Sequence, residues 1–597
     1  MPPRAEVDDL GLSDVAFAVV AERYLRRDAD GRVCETPGQM MDRVARFVAQ
    51  AEDGYGPGGA DRWTPRFSAL LRAREFLPNS PTLMNADTGA GVLSGCFVLP
   101  IEDSLDSIFT TLHTTALLHR VGAGTGFSFS HLRSRDDLVR STGARASGPV
   151  SFIGLFDAAS QVIRRGGRRR GANMAVLDVG HPDIGGFVRA KHDPAALPTF
   201  NLSVGVTDEF MLAATADRPH PLIDPRTGHI VRQVSARALL ETIAEQAWRN
   251  GEPGLLFLDT INRANPVPAL GPLEATNPCG EVPLAANESC NLGSIALPRF
   301  LVGDHLDDRH LARVVRVAVR FLDDVIDVAD YPAPELAAAA RATRKIGLGV
   351  MGLAETLAAL GLPYDSEEAV RFTRQLMARI ARWAHAASRE LAAERGAFPL
   401  FAQSMWAAHS GAPIRNAQVT SIAPTGTIAL LADTSAGIEP LFALAYTRHI
   451  LGRDFAQVEP LFERVTADRG VWSPAVAAEI TANGTAAHPD IPDDLRRRFV
   501  TAHEIDQFWH VRMQAAVQRH TDAAVAKTVN LPETATIDDV RTIFRHAWRA
   551  GCKGVTVYRS GSRRDQVLQP PQQNPAIPKV NVHGAYAGGM PVPGRTP

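Results

Sequence analysis

From Asp14 to about Glu75, apolar residues recur at three-to-four spacing, first in "DVAFAVVAERYL" and again in "TPGQMMDRVARFVAQAE", which predicts amphipathic helices. Thr36 followed by Pro37 suits an N-cap and a first helical position. A Gly/Pro-rich link, "GYGPGGA", interrupts the region after the second helix. The pattern then changes. Short apolar segments ("SGCFVLP", "GFSFS", "MAVLDV", "FNLSVGV") alternate with helical ones such as "ARALLETIAEQAWRN" and "HLARVVRVAVRFLDDVIDVA". This alternation predicts an α/β architecture with a largely parallel sheet. From about Arg563 the chain is rich in Pro, Gly and Gln and poor in periodic apolar residues, the composition of a flexible tail.

Composition narrows the classes. Of the 597 residues, 45% are hydrophobic and 21% charged, ordinary values for a soluble globular protein with ample core. The formal net charge of −2 gives no global attraction to nucleic acid or to an anionic membrane. The N-terminus lacks a secretory signal pattern, and no run of about eighteen apolar residues occurs. The expected compartment is the cytoplasm. There, the five cysteines Cys34, Cys96, Cys279, Cys290 and Cys552 are expected to be buried small hydrophobes or redox-active thiols, not structural disulfides.

Four stretches carry candidate chemistry. "VGAGTGFSF" lacks the last glycine of a dinucleotide loop and reads as a tight strand-entry turn. In "SIAPTGTIALLADTSAGIEP", Pro424, Thr425, Gly426 and Thr427 precede a helix start, where N–H groups and hydroxyls can receive phosphate oxygens, or simply form a capped turn. "RRGGRRRGANMAV" is an arginine-rich loop before an apolar strand, suited to a small phosphorylated ligand or to plain solvation. In "NPCGEVPLAANESCN", Cys279 and Cys290 match neither a CxxC motif nor a zinc spacing. Were the segment extended, Asn277, Cys279 and Glu281 would share one face, bringing together a thiol, a carboxylate and an amide. The alternative is a turn with a buried cysteine.

"NPCGE" followed by "ESCNLGSIAL" resembles the active-site finger of ribonucleotide reductases. The likeness extends through "ERYLRRDADGRVCETPGQM", "FLPNSPTLMNADTGAGVLSGCFVLPIEDSLDSI", "RRGANMAVLDVGHPDI", "APTGTIALLADTSAGIEPLFALAY" and "GCKGVTVYRSGSR", and is greatest to the adenosylcobalamin-dependent class II enzymes. The resemblance implies a helical N-terminal region over 1–75, a ten-stranded α/β barrel over 76–562 and a tail over 563–597. It implies Cys279 as the thiyl radical, Glu281 as base on the ribose 3′-hydroxyl, Asn277 as a hydrogen-bond partner of the ribose, and Cys96 with Cys290 as the reducing dithiol. Ser80 and Pro424, Thr425, Gly426 and Thr427 resemble substrate-phosphate contacts. Asp103 and Ser104 resemble contacts to an effector nucleotide's base and sugar, and Arg133 and Arg140 contacts to its phosphates. The stretch Arg168, Arg169, Arg170, Gly171, Ala172, Asn173 and Met174 resembles the loop that carries effector identity to substrate choice. No residue is assigned to a protein-held metal.

The implied cofactor is adenosylcobalamin, since no adjacent tyrosine pair and no glycyl-radical motif is found. Implied partners are a ribonucleotide substrate, a deoxynucleotide or ATP effector, a thioredoxin-like or other thiol reductant, and a second copy in a homodimer, with no nucleic acid and no membrane. Two departures stand out. The chain opens at the catalytic helices, so no overall on/off switch is expected. No cysteine follows Cys552, whereas relatives end in a mobile cysteine pair. Re-reduction then falls to another polypeptide or an external thiol, or the chain is a turnover-impaired nucleotide-binding form.

Overall fold

The structure, a computed structural model, describes residues 8–163, 171–563, 568, 569 and 571. At the N-terminus, α1 (Asp14–Arg23), α2 (Pro37–Ala49) and α3 (Gly59–Arg72) form the helical region. Thr36 caps α2 as its sequence suggests: its hydroxyl accepts from the Gln39 N–H at 3.1 Å and the Gln39 side chain accepts from the Thr36 N–H at 2.9 Å. Pro37 supplies a fixed φ at a position whose N–H has no helical partner. The apolar faces, with Val20, Met40, Val44 and Phe67, enter one core with barrel residues such as Ile295 and Val350.

The barrel is built in two halves. In the first, β1 (Cys96–Val98), β2 (Gly124–Ser128), β3 (Asn173–Asp178), β4 (Phe200–Val206) and β5 (Gly254–Phe257) pair in parallel, each with the next. In the second, β6 (Ser289–Ala296) pairs in parallel with β7 (Ile346–Met351), and β8 (Thr528–Leu531) with β9 (Gly554–Arg559). Segment 420–422 bridges β7 to the residues leading into β8, through Leu348↔Thr420 and Ile422↔Val525. With this segment the nine named strands close into the ten staves of the expected barrel, and the short strand Phe76–Pro78 pairs antiparallel with β6 beside β1. The halves meet antiparallel at both seams, β1 with β6 and β9 with β5. The sheet is therefore parallel within each half, and the strand alternation in sequence does not reveal the two reversals.

Helices α4 (Leu105–Arg120), α5 (Pro149–Ile163) and α6 (Ala236–Asn250) belong to the first half. Helices α7 (Asp308–Val328), α8 (Glu367–Arg395) and α9 (Gln507–Gln518) belong to the second. A small third cluster includes Cys96, Met174, Val176, Leu256, Val282 and Cys290 and marks the barrel interior. Within the tail expected from Arg563, Leu568–Gln569 adds an edge strand to Ala445–Ile450, pairing with Thr447 and Arg448. Backbone pairing there outweighs a local composition that is poor in apolar periodicity. No helix among the described residues is long and apolar enough to cross a membrane.

Candidate active site

The finger is a hairpin, not an extended strand. Ala275–Thr276 pairs antiparallel with Pro283–Leu284, and the chain between them turns, with Gly280 at φ 84°. Because of the turn, Asn277, Cys279 and Glu281 do not share a face. Asn277 and Glu281 are 1% and 2% exposed, whereas Cys279 is exposed at the tip. The Asn277 carboxamide spans the turn, its Oδ1 accepting from the Val282 N–H at 3.0 Å and its Nδ2 donating to Cys96 Sγ at 3.1 Å. Three further bonds hold the loop. Asn201 Nδ2 donates to the Pro278 carbonyl at 2.8 Å, Ser421 Oγ to the Glu281 carbonyl at 3.0 Å, and the Ala524 N–H to that same carbonyl at 2.8 Å.

Gly124 and Gly126 explain the glycine-rich stretch. They lie within β2, where a Cβ on Gly126 would stand 1.7 Å from the Thr276 carbonyl oxygen and one on Gly124 would stand 2.9 Å from the Pro278 ring. The strand-entry turn read from "VGAGTGFSF" is therefore only part of its role. The two glycines let the finger's backbone lie against the barrel wall.

Cys96 and Cys290 oppose each other in register across the antiparallel β1–β6 seam, and both are thiols. Gln418 Nε2 lies 3.9 Å from Cys290 Sγ, and a Cβ on Gly347 would be 3.4 Å from that sulfur. Burial pushes the Cys290 thiol well up; the Lys345 ammonium opposes the shift, and the Glu281 and Glu288 carboxylates add to it. Lys345 is committed to Glu288 at 2.5 Å, so Cys290 remains a neutral S–H. A neutral, buried thiol facing a second thiol can deliver hydrogen and two electrons and close to a disulfide.

The turn Pro424–Thr427 precedes the single helical turn Ile428–Leu431. Pro424 and Gly426 are exposed, and the space beside Gly426 is open. Thr425 takes φ 53°, a left-handed conformation that costs a β-branched residue about 1–2 kcal/mol. Its Oγ1 accepts from the Gly437 N–H at 2.7 Å. Ser80 opens the helix Ser80–Asn85, and its hydroxyl bonds Tyr24 at the end of α1 at 2.7 Å. As α1 packs on Ile428–Leu431, Ser80 and the turn come to one end of the barrel.

At the effector positions, Asp103 accepts from the Arg133 guanidinium at 2.8 to 3.0 Å, and Ser104 is the N-cap of α4. Arg140 is exposed between the short strands Leu138–Val139 and Ala144–Arg145. Arg168, Arg169 and Arg170 lie outside the described residues. The following residues are fixed. Gly171 abuts the His119 ring, the Ala172 carbonyl accepts from the Thr125 N–H at 3.0 Å, and Met174 points into the barrel interior. Asn173 Oδ1 accepts from Thr125 Oγ1 at 2.8 Å, and Thr125 in turn bonds His119 at 3.0 Å.

Sequence reasoning missed Asn201, Gln418, Ser421 and Thr556. Asn201 and Thr556 alternate onto the interior face, in register with Met174 and Gly254, yet both are exposed. The barrel is thus open to solvent beside the finger tip. Nothing local marks these residues, which act through strand register.

Comparison with known proteins agrees with this geometry. The family described as ribonucleotide reductase, barrel domain, matches residues 94–558, and the ribonucleotide reductase all-alpha domain matches residues 10–91. The chain is 59% identical over 98% of its length, and 84% of the relative's, to a protein of Mycobacterium tuberculosis named vitamin B12-dependent ribonucleoside-diphosphate reductase. It is 44% identical to the protein of that name from Thermoplasma acidophilum, over 94% of this chain and 80% of that one. The fold is similar to that of the Actinobacillus ureae class Id ribonucleotide reductase alpha subunit, with TM-score 0.75 at 22% identity, over 93% of this chain and 98% of that one. Barrel, finger and paired cysteines therefore have one explanation: this chain belongs to the ribonucleotide reductase family.

Proposed function

We propose that the chain reduces ribonucleoside diphosphates to 2′-deoxyribonucleotides, with adenosylcobalamin as radical source, as the names of its relatives in Mycobacterium tuberculosis and Thermoplasma acidophilum suggest. The observation that carries this reading is the cross-strand pair Cys96 and Cys290, with Asn277 of the finger bonded to Cys96.

The residues suit the cofactor. Asn201, Ser203 and Thr556 line an interior wall that is open beside exposed Cys279, and this wall would receive a large group there. Adenosylcobalamin supplies, when bound, a homolytically cleavable cobalt–carbon bond. Cys279, at the finger tip, then takes the ribose 3′-hydrogen as a thiyl radical, and Glu281 takes the 3′-hydroxyl proton. The 2′-hydroxyl leaves as water with a proton from the dithiol. As Cys96 and Cys290 close to one disulfide, their two electrons and remaining proton go to C2′, Glu281 returns its proton to the 3′-oxygen, and Cys279 returns its hydrogen to C3′. Substrate and cofactor filling the open barrel beside Cys279 would keep solvent and stray thiols from the radical.

Ser80 and Pro424–Thr427 hold the substrate phosphates, with open N–H groups at the turn. Asp103, Ser104, Arg133 and Arg140 receive a deoxynucleotide or ATP effector, and the loop ending in Gly171–Met174 transmits its identity. Leu105 and Phe109, one turn apart on α4, and Val162 on α5 are 63%, 52% and 74% exposed, an apolar edge that supports a homodimer through these helices. A thioredoxin-like protein or another thiol re-reduces the disulfide.

The test is anaerobic product analysis with adenosylcobalamin, dithiothreitol, a ribonucleoside diphosphate and a deoxynucleotide effector. Wild type is expected to form deoxynucleotide, and Cys279→Ser to form none and to lose tritium exchange at C3′. Normal turnover by Cys279→Ser would refute the radical assignment.

A further inference from the structure

A cavity of about 400 Å³ lies between α8 and the end of α9, and no residue of the finger or of the phosphate turn lines it. Its wall on α8 follows from the sequence. Ala378, Arg382, His385 and Arg389 recur at three- and four-residue spacing and so lie along one helical stripe, which Arg374 continues one turn beyond the cavity, and the alanine leaves a hollow between long cationic side chains. The opposite wall is Arg519, His520 and Thr521, just past the C-terminus of α9.

The charges here are arranged unlike those on the rest of α8. Of its four carboxylates three are engaged elsewhere, Glu367 with Arg512, Glu390 with Arg316 and Glu394 with Arg320, and the fourth, Glu368, is not among the residues that line the cavity. Arg374, Arg382, Arg389 and Arg519 form no ion pair with a carboxylate among the described residues. The one acid on the cavity wall, Asp522, is already satisfied. It accepts from His385 Nε2 at 2.9 Å and from the Val419 and Thr420 N–H groups at 2.9 and 3.1 Å. The field is positive: burial lowers the His520 pKa, and the Arg374 and Arg519 guanidiniums lower it further. His385 is raised despite its burial, because it faces Asp522.

The geometry points to a binding site for an oligophosphate anion, either free or as the tail of a nucleotide, separate from the substrate and effector positions. Arg382, Arg389 and Arg519 supply planar donors that suit phosphate oxygens, and Thr521 a hydroxyl. The floor of the site leads to the dithiol. Asp522 clamps the backbone at Val419 and Thr420, and the preceding residue, Gln418, contacts Cys290. An anion drawing His385 toward itself would load that clamp.

Trp406 provides a local reporter, with its ring 5.3 Å from His385 and 6.0 Å from the Arg389 guanidinium. Purified full-length protein is titrated with inorganic tripolyphosphate and, separately, with ATP, and the part of the fluorescence change that Trp406→Phe abolishes is followed. A saturable change is expected with both ligands. It should weaken as salt rises, and Arg382→Ala/Arg519→Ala should weaken it by about tenfold or more while Arg382→Lys/Arg519→Lys retains most of it. Both arginines are exposed, so an unchanged melting temperature checks that the variants fold. Tighter binding of ATP identifies a nucleotide ligand, and equal binding a free oligophosphate; either supports the site. No Trp406-dependent change with either anion, or the same affinity in the alanine variant, would overturn it.

Discussion

Cys96 and Cys290 are direct cross-strand partners although 193 residues lie between them in sequence, because the antiparallel seam between the two half-barrels places β1 beside β6. Cys279, with only ten residues between it and Cys290, sits instead at the exposed tip of the finger. The closeness of Cys279 and Cys290 in sequence therefore misleads, and the seam decides which sulfurs meet.

If the seam pair is the immediate reductant, Cys96→Ser and Cys290→Ser should each bind effector with unchanged affinity and yield no clean deoxynucleotide. Equilibrium binding of a deoxynucleotide triphosphate and chromatography of products would check this. Turnover within about threefold of wild type in either variant contradicts the pairing.

Gly126→Ala tests the seating of the finger. The added methyl would stand 1.7 Å from the Thr276 carbonyl, a backbone atom that yields only if the hairpin shifts. A cost of about 1–3 kcal/mol and a loss of activity of about a hundredfold or more are expected. Melting temperature and product formation report the two effects separately.

Thr425→Ala keeps the left-handed backbone and removes the acceptor for the Gly437 N–H. The phosphate turn should loosen, raising KM for the ribonucleotide about tenfold with a smaller effect on kcat. Thr425→Gly relieves the backbone strain and should recover melting temperature without recovering KM.

Burial holds His119 at a pKa of about 4, below its ordinary 6.5. The unfolded chain therefore binds the extra proton between these values. The stability His119 contributes is complete above pH 6.5 and is lost as pH falls through 4, by about 3 kcal/mol at most. His119→Gln should flatten the fall in melting temperature between pH 7 and pH 4.5. An unchanged slope would show that His119 does not titrate in this way.

Much of this was legible in the sequence for local reasons. The Thr36–Pro37 helix start depends on residues a few positions apart, and so does the strand pattern of "FNLSVGV". The finger resisted because Gly280 and the Asn277 cap turn a segment whose spacing also fits an extended strand. Gly126 was visible as a glycine, but its purpose depends on a carbonyl 150 residues later (276 − 126). Asn201, Gln418 and Thr556 were invisible for the same reason, since only strand register assigns them to the interior. Leu568–Gln569 shows the converse, a strand held by its partner alone.

The central claim is tested most directly by a single turnover. Prereduced protein is mixed anaerobically with adenosylcobalamin, a ribonucleoside diphosphate and a deoxynucleotide effector without external thiol, and deoxynucleotide is counted while peptide mapping locates any new disulfide. The account predicts close to one product per chain, accompanied by a Cys96–Cys290 disulfide. Product without that disulfide, or no product under any effector, would contradict it.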